Sequence, residues 1–274
     1  MSTTTIIIEP GRAAHQYWRD LWHYRELMFF LAWRDVSVRY KQTVIGVAWA
    51  LIPPLATMLV FVLVFSKVAH LSSEGVPYAL LVLAGMLPWQ LFSSTVSESS
   101  NSLVGNANLI SKVYFPRLAV PLSSLAVGMI DFLIGLPVLA VLMIYYGVAP
   151  GWQLVFLPLF VALALVAALG LGLWLCALNV RYRDVRYVIP FIVQFGLYLS
   201  PVGFSSSVVP EGWRWLFALN PMAGVIDGIR WSLFGTRPPF GDPSFAVSLA
   251  MVAALLVSGV WYFRRTERTF ADVI

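Results

Sequence analysis

The sequence predicts an all-α membrane protein. Six transmembrane helices are expected, preceded by an amphipathic interfacial helix, with two short re-entrant or interfacial pieces ahead of the last span. Three observations carry this. Hydrophobic residues make up 59% of the chain and charged residues 11%, about half the charged share usual in soluble domains. The charges stand between long apolar runs, which is the pattern of membrane topology rather than of nucleic-acid binding, even at a net charge of +5. The runs also have the right length. After Lys41 no Asp, Glu, Lys or Arg occurs until Lys67, and at 1.5 Å per residue about 20 apolar residues cross a bilayer core of roughly 30 Å.

The chain divides into an N-terminal cytoplasmic and interfacial region (1–41), a six-span domain (42–263) and a cytoplasmic tail (264–274). Residues 1–12 are polar. The first 26 residues lack the basic, apolar and small-residue order of a signal peptide, so the mature chain is expected to keep its N-terminus. From residue 13 to 40 the pattern is helical, with Trp18, Leu21, Trp22, Met28, Phe29, Trp33, Val36 and Tyr40 sharing one side. Arg19, His23, Glu26 and Arg34 lie opposite, while Leu27, Phe30 and Leu31 blur the separation and leave one straight helix unassured. The stretch is expected to lie at a membrane surface with its rings at headgroup level. A soluble helix packed on a partner is the alternative.

The spans follow as uncharged runs. Residues 42–66 are the first and 75–97 the second. The stretch from Arg117 to Arg181 holds one charge, Asp131, and a turn signal at 146–151, so it reads as spans three and four. Residues 187–210 are the fifth and 243–263 the sixth. Pro53, Pro54, Pro88, Pro121 and Pro137 fall within these spans, where broken helices are expected. Gly170 and Gly172 are expected to allow close helix packing. In the long connection before the last span, 208–217 and 221–234 are apolar but too short to cross, which reads as re-entrant or interfacial pieces. Trp213, Trp215 and Trp231 there fit an aromatic belt. Six spans place both termini on one side. Fourteen of the 18 Lys and Arg residues then fall with the termini, which makes that side the cytoplasm.

Chemistry is sparse. Cys176 is a lone cysteine, and His15, His23 and His70 are scattered, so neither a disulfide framework nor a metal centre is expected. The three lysines follow Tyr, Ser and Ser, so none belongs to a Gly-Lys-Ser/Thr phosphate loop. No catalytic, cofactor-binding or metal-binding residue is assigned, and an enzyme is not expected. Asp131 is the one charge deep within a span. An intramembrane acid can relay protons or bind a cation, but no second acid or base is expected at its depth, which favours a structural carboxylate. The segment 101–116 is too short and too polar to cross. An Asn can cap a helix start there and Pro116 can stop it, so one or two turns would expose Leu109, Val113 and Tyr114 or Phe115 as an apolar knob beside Lys112. A solvated linker is the competing reading.

Taken together, several motifs resemble one family. Trp33-Arg34-Asp35, then Arg39-Tyr40-Lys41-Gln42-Thr43, Gly46, Trp49 and Pro53 resemble the entry to the first span of polysaccharide-exporting ABC transporter permeases, the type-2 permeases for O-antigen, capsule and teichoic-acid-like polymers. Asn108-Leu109-Ile110-Ser111-Lys112-Val113-Tyr114-Phe115-Pro116, Arg181-Tyr182-Arg183-Asp184-Val185, Ser200-Pro201-Val202 and Asn220-Pro221-Met222 leading to Arg230 follow in order. The resemblance implies the channel-forming half of an ATP-driven exporter of a lipid-linked polysaccharide in the bacterial inner membrane. It implies a homodimer with two separate ATPase subunits that hold ATP and Mg, surrounded by membrane lipid, and no nucleic acid. Asn108, Leu109, Lys112, Tyr114 and Phe115 would form the coupling helix on the ATPase. The two short re-entrant segments before the last span would be gate helices, and the first and fifth spans would line the channel, with Trp49, Phe61, Phe191, Phe195 and Tyr198 as candidates for stacking on the glycan. An exporter of drugs or small lipids is the alternative within the fold. A proton-coupled secondary transporter using Asp131 is the alternative outside it, although the inverted repeat such transporters favour is not visible.

Overall fold

The computed structural model describes residues 14–41, 47–68 and 75–270. Gln42, Thr43 and Gly46 of the entry motif, His70, Glu74 and the side chain of Lys67 lie outside the described residues, as do 1–13 and 271–274.

Every regular element among the described residues is helical. In chain order they are α1 (Ala14–His23), α2 (Arg25–Tyr40), α3 (Ala48–Phe61), α4 (Tyr78–Gly105), α5 (Ala107–Lys112), α6 (Ala119–Ser123), α7 (Leu125–Tyr145), α8 (Leu157–Arg181), α9 (Val185–Leu199), α10 (Glu211–Phe217), α11 (Pro221–Phe234) and α12 (Pro243–Thr266). A π-helical stretch (Val62–Val68) continues α3, and a 3-10 turn (Trp152–Phe156) leads into α8.

Among the described residues, five stretches are long and apolar enough to cross a membrane: Ala48–Phe65, Tyr78–Gly105, Ala119–Tyr145, Trp152–Arg181 and Pro243–Thr269. The expected fifth span, 187–210, departs from its reading. It is the 15-residue α9, which rises about 22 Å. Proline at 201 disfavours a helical residue before it, and Ser200 is accordingly extended, at φ −102° and ψ 151°. The prolines inside α3, α4, α7 and α9 do not break those helices. Neighbouring helices can satisfy the carbonyl that a proline frees. Within the expected span three a helix break does fall near a proline, at Ser124 between α6 and α7, three residues after Pro121.

α4 forms the axis. Residues 80–89 are buried without interruption, as expected of a helix that is apolar all round. α7, α8 and α11 pack on it, and α3 and α9 lie against it as well. The α8–α12 contact is backbone-close. A Cβ on Gly259 would overlap the Gly170 carbonyl, and one on Gly170 would sit 2.6 Å from the Leu255 carbonyl carbon. Small residues permit this approach, so Gly170 has the packing role read from the sequence. Beside it Trp174 stacks on Tyr262 with centroids 4.1 Å apart.

The first and last described segments meet at one end of the bundle, the termini end. Tyr17 Oη donates to Glu267 Oε2 at 3.0 Å, and the Arg117 amide donates to Glu267 Oε1 at 3.0 Å. Burial and the Glu267 carboxylate beside it push the Tyr17 hydroxyl pKa well above its ordinary value. A second apolar cluster fills this end, with Leu21 and Leu31 of α1 and α2 packed among Leu103, Ile110, Phe115, Leu173 and Phe263. The amphipathic stretch is two helices, kinked at Tyr24 with its hydrogen bonds continuing through the kink. Trp18, Trp22, Phe29, Phe30 and Trp33 stay exposed in a row. Leu31, which blurred the pattern in sequence, is the residue that anchors α2.

The two short apolar pieces before the last span differ from one another. α11 has an Asn220 cap accepting from the Met222 amide at 2.9 Å, Pro221 at its first position and Gly235 at φ 65° past its end. Those are helix start and stop signals. α11 is buried along its length against α4, α8 and α12. α10 has seven residues and none is buried. Trp231 is therefore no belt residue: it is buried, 5.2 Å from the Phe240 ring and 5.4 Å from Phe156.

Candidate functional site

Three places hold the residues singled out by the sequence. The first is the outer face of α9. Tyr187, Phe191, Phe195 and Tyr198 recur at helical spacing, and the last three are 61%, 63% and 61% exposed. Phe191 and Phe195 lie nearly parallel, 17° apart at 6.4 Å. The opposite face buries Ile189, with Ile192, Val193 and Leu197 packed on the core. Gly196 rests on the Trp89 ring, where a Cβ would come within 2.7 Å. Trp49 is exposed at the start of α3. Phe61 is not on this surface. It is 8% exposed, packed edge-on to Phe65 and seated over Gly203, so a Cβ there would lie 2.8 Å from its ring. One turn of α3 chooses between the two sides, and every residue of that turn is apolar. Phe61 instead joins the far ends of α3 and α9.

The second place is α5. Asn108, Ser111, Lys112, Val113 and Tyr114 are exposed, Leu109 is half-buried, and Ile110 and Phe115 are buried. The expected knob is therefore corrected: Phe115 points into the cluster at the termini end, and Leu109 packs on that cluster's edge. The helix stops at Lys112 rather than before Pro116. Val113 is extended (φ −126°, ψ 132°), which throws Tyr114 outward and Phe115 inward. The Asn106 side chain does not cap α5 but donates to Ser102 O at 2.8 Å, closing α4. A cleft of about 380 Å³ beside α5 is lined by Ala107, Asn179, Arg183, Arg186 and Tyr187.

The third place is Asp131. It is 2% exposed, and the expectation that no base lies at its depth is overturned. Arg39 Nη2 stands 2.8 Å from Asp131 Oδ2, and Tyr40 donates to Oδ1. Arg39 also reaches Glu98 of α4, Nη1 to Oε1 at 3.3 Å. Burial and the Asp131 carboxylate raise the Tyr40 hydroxyl pKa. Arg39 and Glu98 are the residues sequence reasoning missed here. Arg39 stands 92 positions from Asp131 in the chain, and its role in the entry motif carried no sign of this contact. Among the described residues no three His, Cys, Asp or Glu come together to hold a metal.

A family model described as "ABC-2 type transporter" matches residues 26–234, which includes all three places. The chain belongs to the ABC-2 type transporter family. It is a multi-pass membrane permease of the type-2 ABC group that its motifs resemble. Among its relatives is the O-antigen export system permease protein RfbA of Myxococcus xanthus, 31% identical over 259 residues, covering 93% of this chain and 98% of the relative. The protein of the same name from Klebsiella pneumoniae is 26% identical, over 91% of this chain and 95% of its own. The polysialic acid transport protein KpsM of Escherichia coli is 23% identical, over 71% and 76%. α12 lies beyond the family match yet packs directly on α8, so the bundle of this ABC-2 permease extends past the matched region.

Proposed function

We propose that this chain is the channel-forming half of an ATP-driven exporter that moves a lipid-linked, O-antigen-like polysaccharide across the bacterial inner membrane. Two copies stand together on two separate ATPase subunits, which hold ATP and Mg. The excess of Lys and Arg at the termini end makes that end cytoplasmic. α9, completed by the extended segment after Ser200, is the fifth of six crossings, and α10 and α11 form the outer gate region. α5 seats on the ATPase through Asn108, Leu109, Lys112 and Tyr114, with Phe115 bracing it from within.

The observation that carries the substrate class is the aromatic stripe of α9. Four rings, Tyr187, Phe191, Phe195 and Tyr198, stand open on a helix without charged side chains beyond its first turn. Rings stack on sugar faces through repeated contacts of about 1 kcal/mol each, which hold a polymer without trapping it. The names of the relatives support the same class. In proteoliposomes with the ATPase, Trp49→Ala with Phe195→Ala should lower glycan export about tenfold while the ATPase still co-purifies. Undiminished export would overturn the stripe as the path. Tyr114→Glu should cost about 2 kcal/mol of ATPase association. Leu109→Glu is a poorer test, because Leu109 also packs on this chain's own core. Full retention of the ATPase by Tyr114→Glu would displace the coupling surface from α5.

A further inference from the structure

At the end of the bundle away from the termini, a cavity of about 540 Å³ opens between α10, α11 and the start of α12. That volume falls within the roughly 300–1,000 Å³ of small-molecule sites. Its lining includes Ser205, seven residues past Tyr198 on the segment that follows the helix carrying the aromatic stripe. The lining brings Asp227 and Asp242 together with Arg214 and Arg237, beside the ring of Phe245. Ser206 adds a buried hydroxyl with no hydrogen-bond partner among the described residues. Arg237 is exposed and forms no ion pair among the described residues.

The mixture of groups selects the ligand. Asp227 already lies 3.9 Å from Arg230, and Arg214 3.9 Å from Glu211, but an apolar molecule would give the Ser206 hydroxyl and the Arg237 guanidinium nothing to pair with, which is costly. A phosphate or pyrophosphate would suit the arginines but would face two carboxylates in the same wall. The Ser244 amide, followed by Arg214 and Arg237, holds the Asp242 carboxyl below its ordinary pKa, so it stays an acceptor. A saccharide satisfies all of these groups together. Its hydroxyls donate to carboxylates and accept from guanidinium groups, and a C–H face rests on an aromatic ring.

We propose that this cavity is a saccharide subsite, holding a short stretch of the glycan as it leaves the aromatic path on α9. The proposal rests on the transport function above and adds to it a second, polar grip at the exit. Such a grip would bias the polymer outward between ATPase strokes.

The test uses the full chain with its ATPase in lipid nanodiscs. The probe is the set of oligosaccharide fragments released by mild acid from the source cell's own surface polysaccharide, followed by calorimetry, with inorganic pyrophosphate as the competing anion. Arg237→Gln and Asp242→Asn should each weaken fragment binding about tenfold, the scale of a lost hydrogen bond to a charged group. Asn caps a helix as well as Asp, so α12 keeps its start. Equal binding by the Arg237 and Asp242 variants would overturn the subsite, as would displacement of the fragments by pyrophosphate. Absence of fragment binding in a preparation that exports glycan overturns the subsite and leaves the transport function standing. A preparation that exports no glycan sinks the transport function, and the fragment titration still decides the cavity.

Discussion

Arg230 on α11 and Asp131 on α7 are both charged, and they are 5% and 2% exposed. With its Nη1 3.9 Å from Asp227 Oδ1 on the same helix, Arg230 donates to three carbonyls: Leu81 O from both Nε (3.2 Å) and Nη2 (3.0 Å), Val202 O at 2.9 Å and Phe204 O at 3.0 Å. Those acceptors belong to the first turns of α4 and to the segment after α9, so one planar guanidinium ties three parts of the bundle together. Asp131 is held by side chains instead. Arg39 and Tyr40 come from the last turn of α2, and the Arg39 side chain is about a third exposed. Backbone acceptors inside a core cannot swing away, but side chains on a surface helix can. The Arg230 end is therefore built as a fixed joint. The Asp131 site is a seam of side-chain contacts between the interfacial helix and the bundle.

The largest effect expected is at Arg230. Arg230→Met strands three buried carbonyls and should cost at least ~3 kcal/mol, seen as a lowered midpoint of thermal unfolding in detergent. Arg230→Lys should recover little, since an ammonium lacks the fork that reaches separated acceptors. A lysine variant as stable as the wild type would break the contrast, because charge alone would then suffice. A smaller effect is expected at the seam. A double-mutant cycle of Arg39→Gln and Asp131→Asn should give a coupling of about 1 kcal/mol, reduced by the partial exposure of Arg39. Added salt should weaken that coupling and leave the Arg230 joint unchanged. Equal salt sensitivity at both places would erase the distinction between seam and joint.

The smallest effect sharpens the picture at the Arg230 end. The Asp242 carboxyl is held below its ordinary pKa. Its contribution is therefore complete above the unfolded-state value and is lost as the pH falls through the lowered one. Amide exchange in the first turn of α12 should quicken on such acidification by a few tenths of a kcal/mol, the group being largely solvated. Asp242→Asn should abolish that pH dependence while keeping the cap. Acid-induced exchange that persists in Asp242→Asn would assign the response to another group.

The amino-acid sequence by itself determined the membrane class, the places of the long apolar helices and the start and stop of α11. These are properties of composition and of local hydrogen bonding: uncharged runs of bilayer length, and an Asn-Pro start with a glycine past the end. The aromatic stripe of α9 was legible for the same reason, since its rings recur at helical spacing. Tertiary structure decided the rest. Phe61 and Phe115 turned inward because a stretch that is apolar on every side does not announce which side packs. Ser200 and Pro201 cut the fifth run short through a backbone restriction that hydropathy does not weigh. Arg230, counted with the outer charges by its position in the chain, is a core residue, because three carbonyls from remote segments converge on it. Asp131 found its base 92 positions away, on a helix that lies outside the spans. Contacts of that kind arise only when the chain closes on itself, since no local pattern encodes which surface helix will lie over which buried acid.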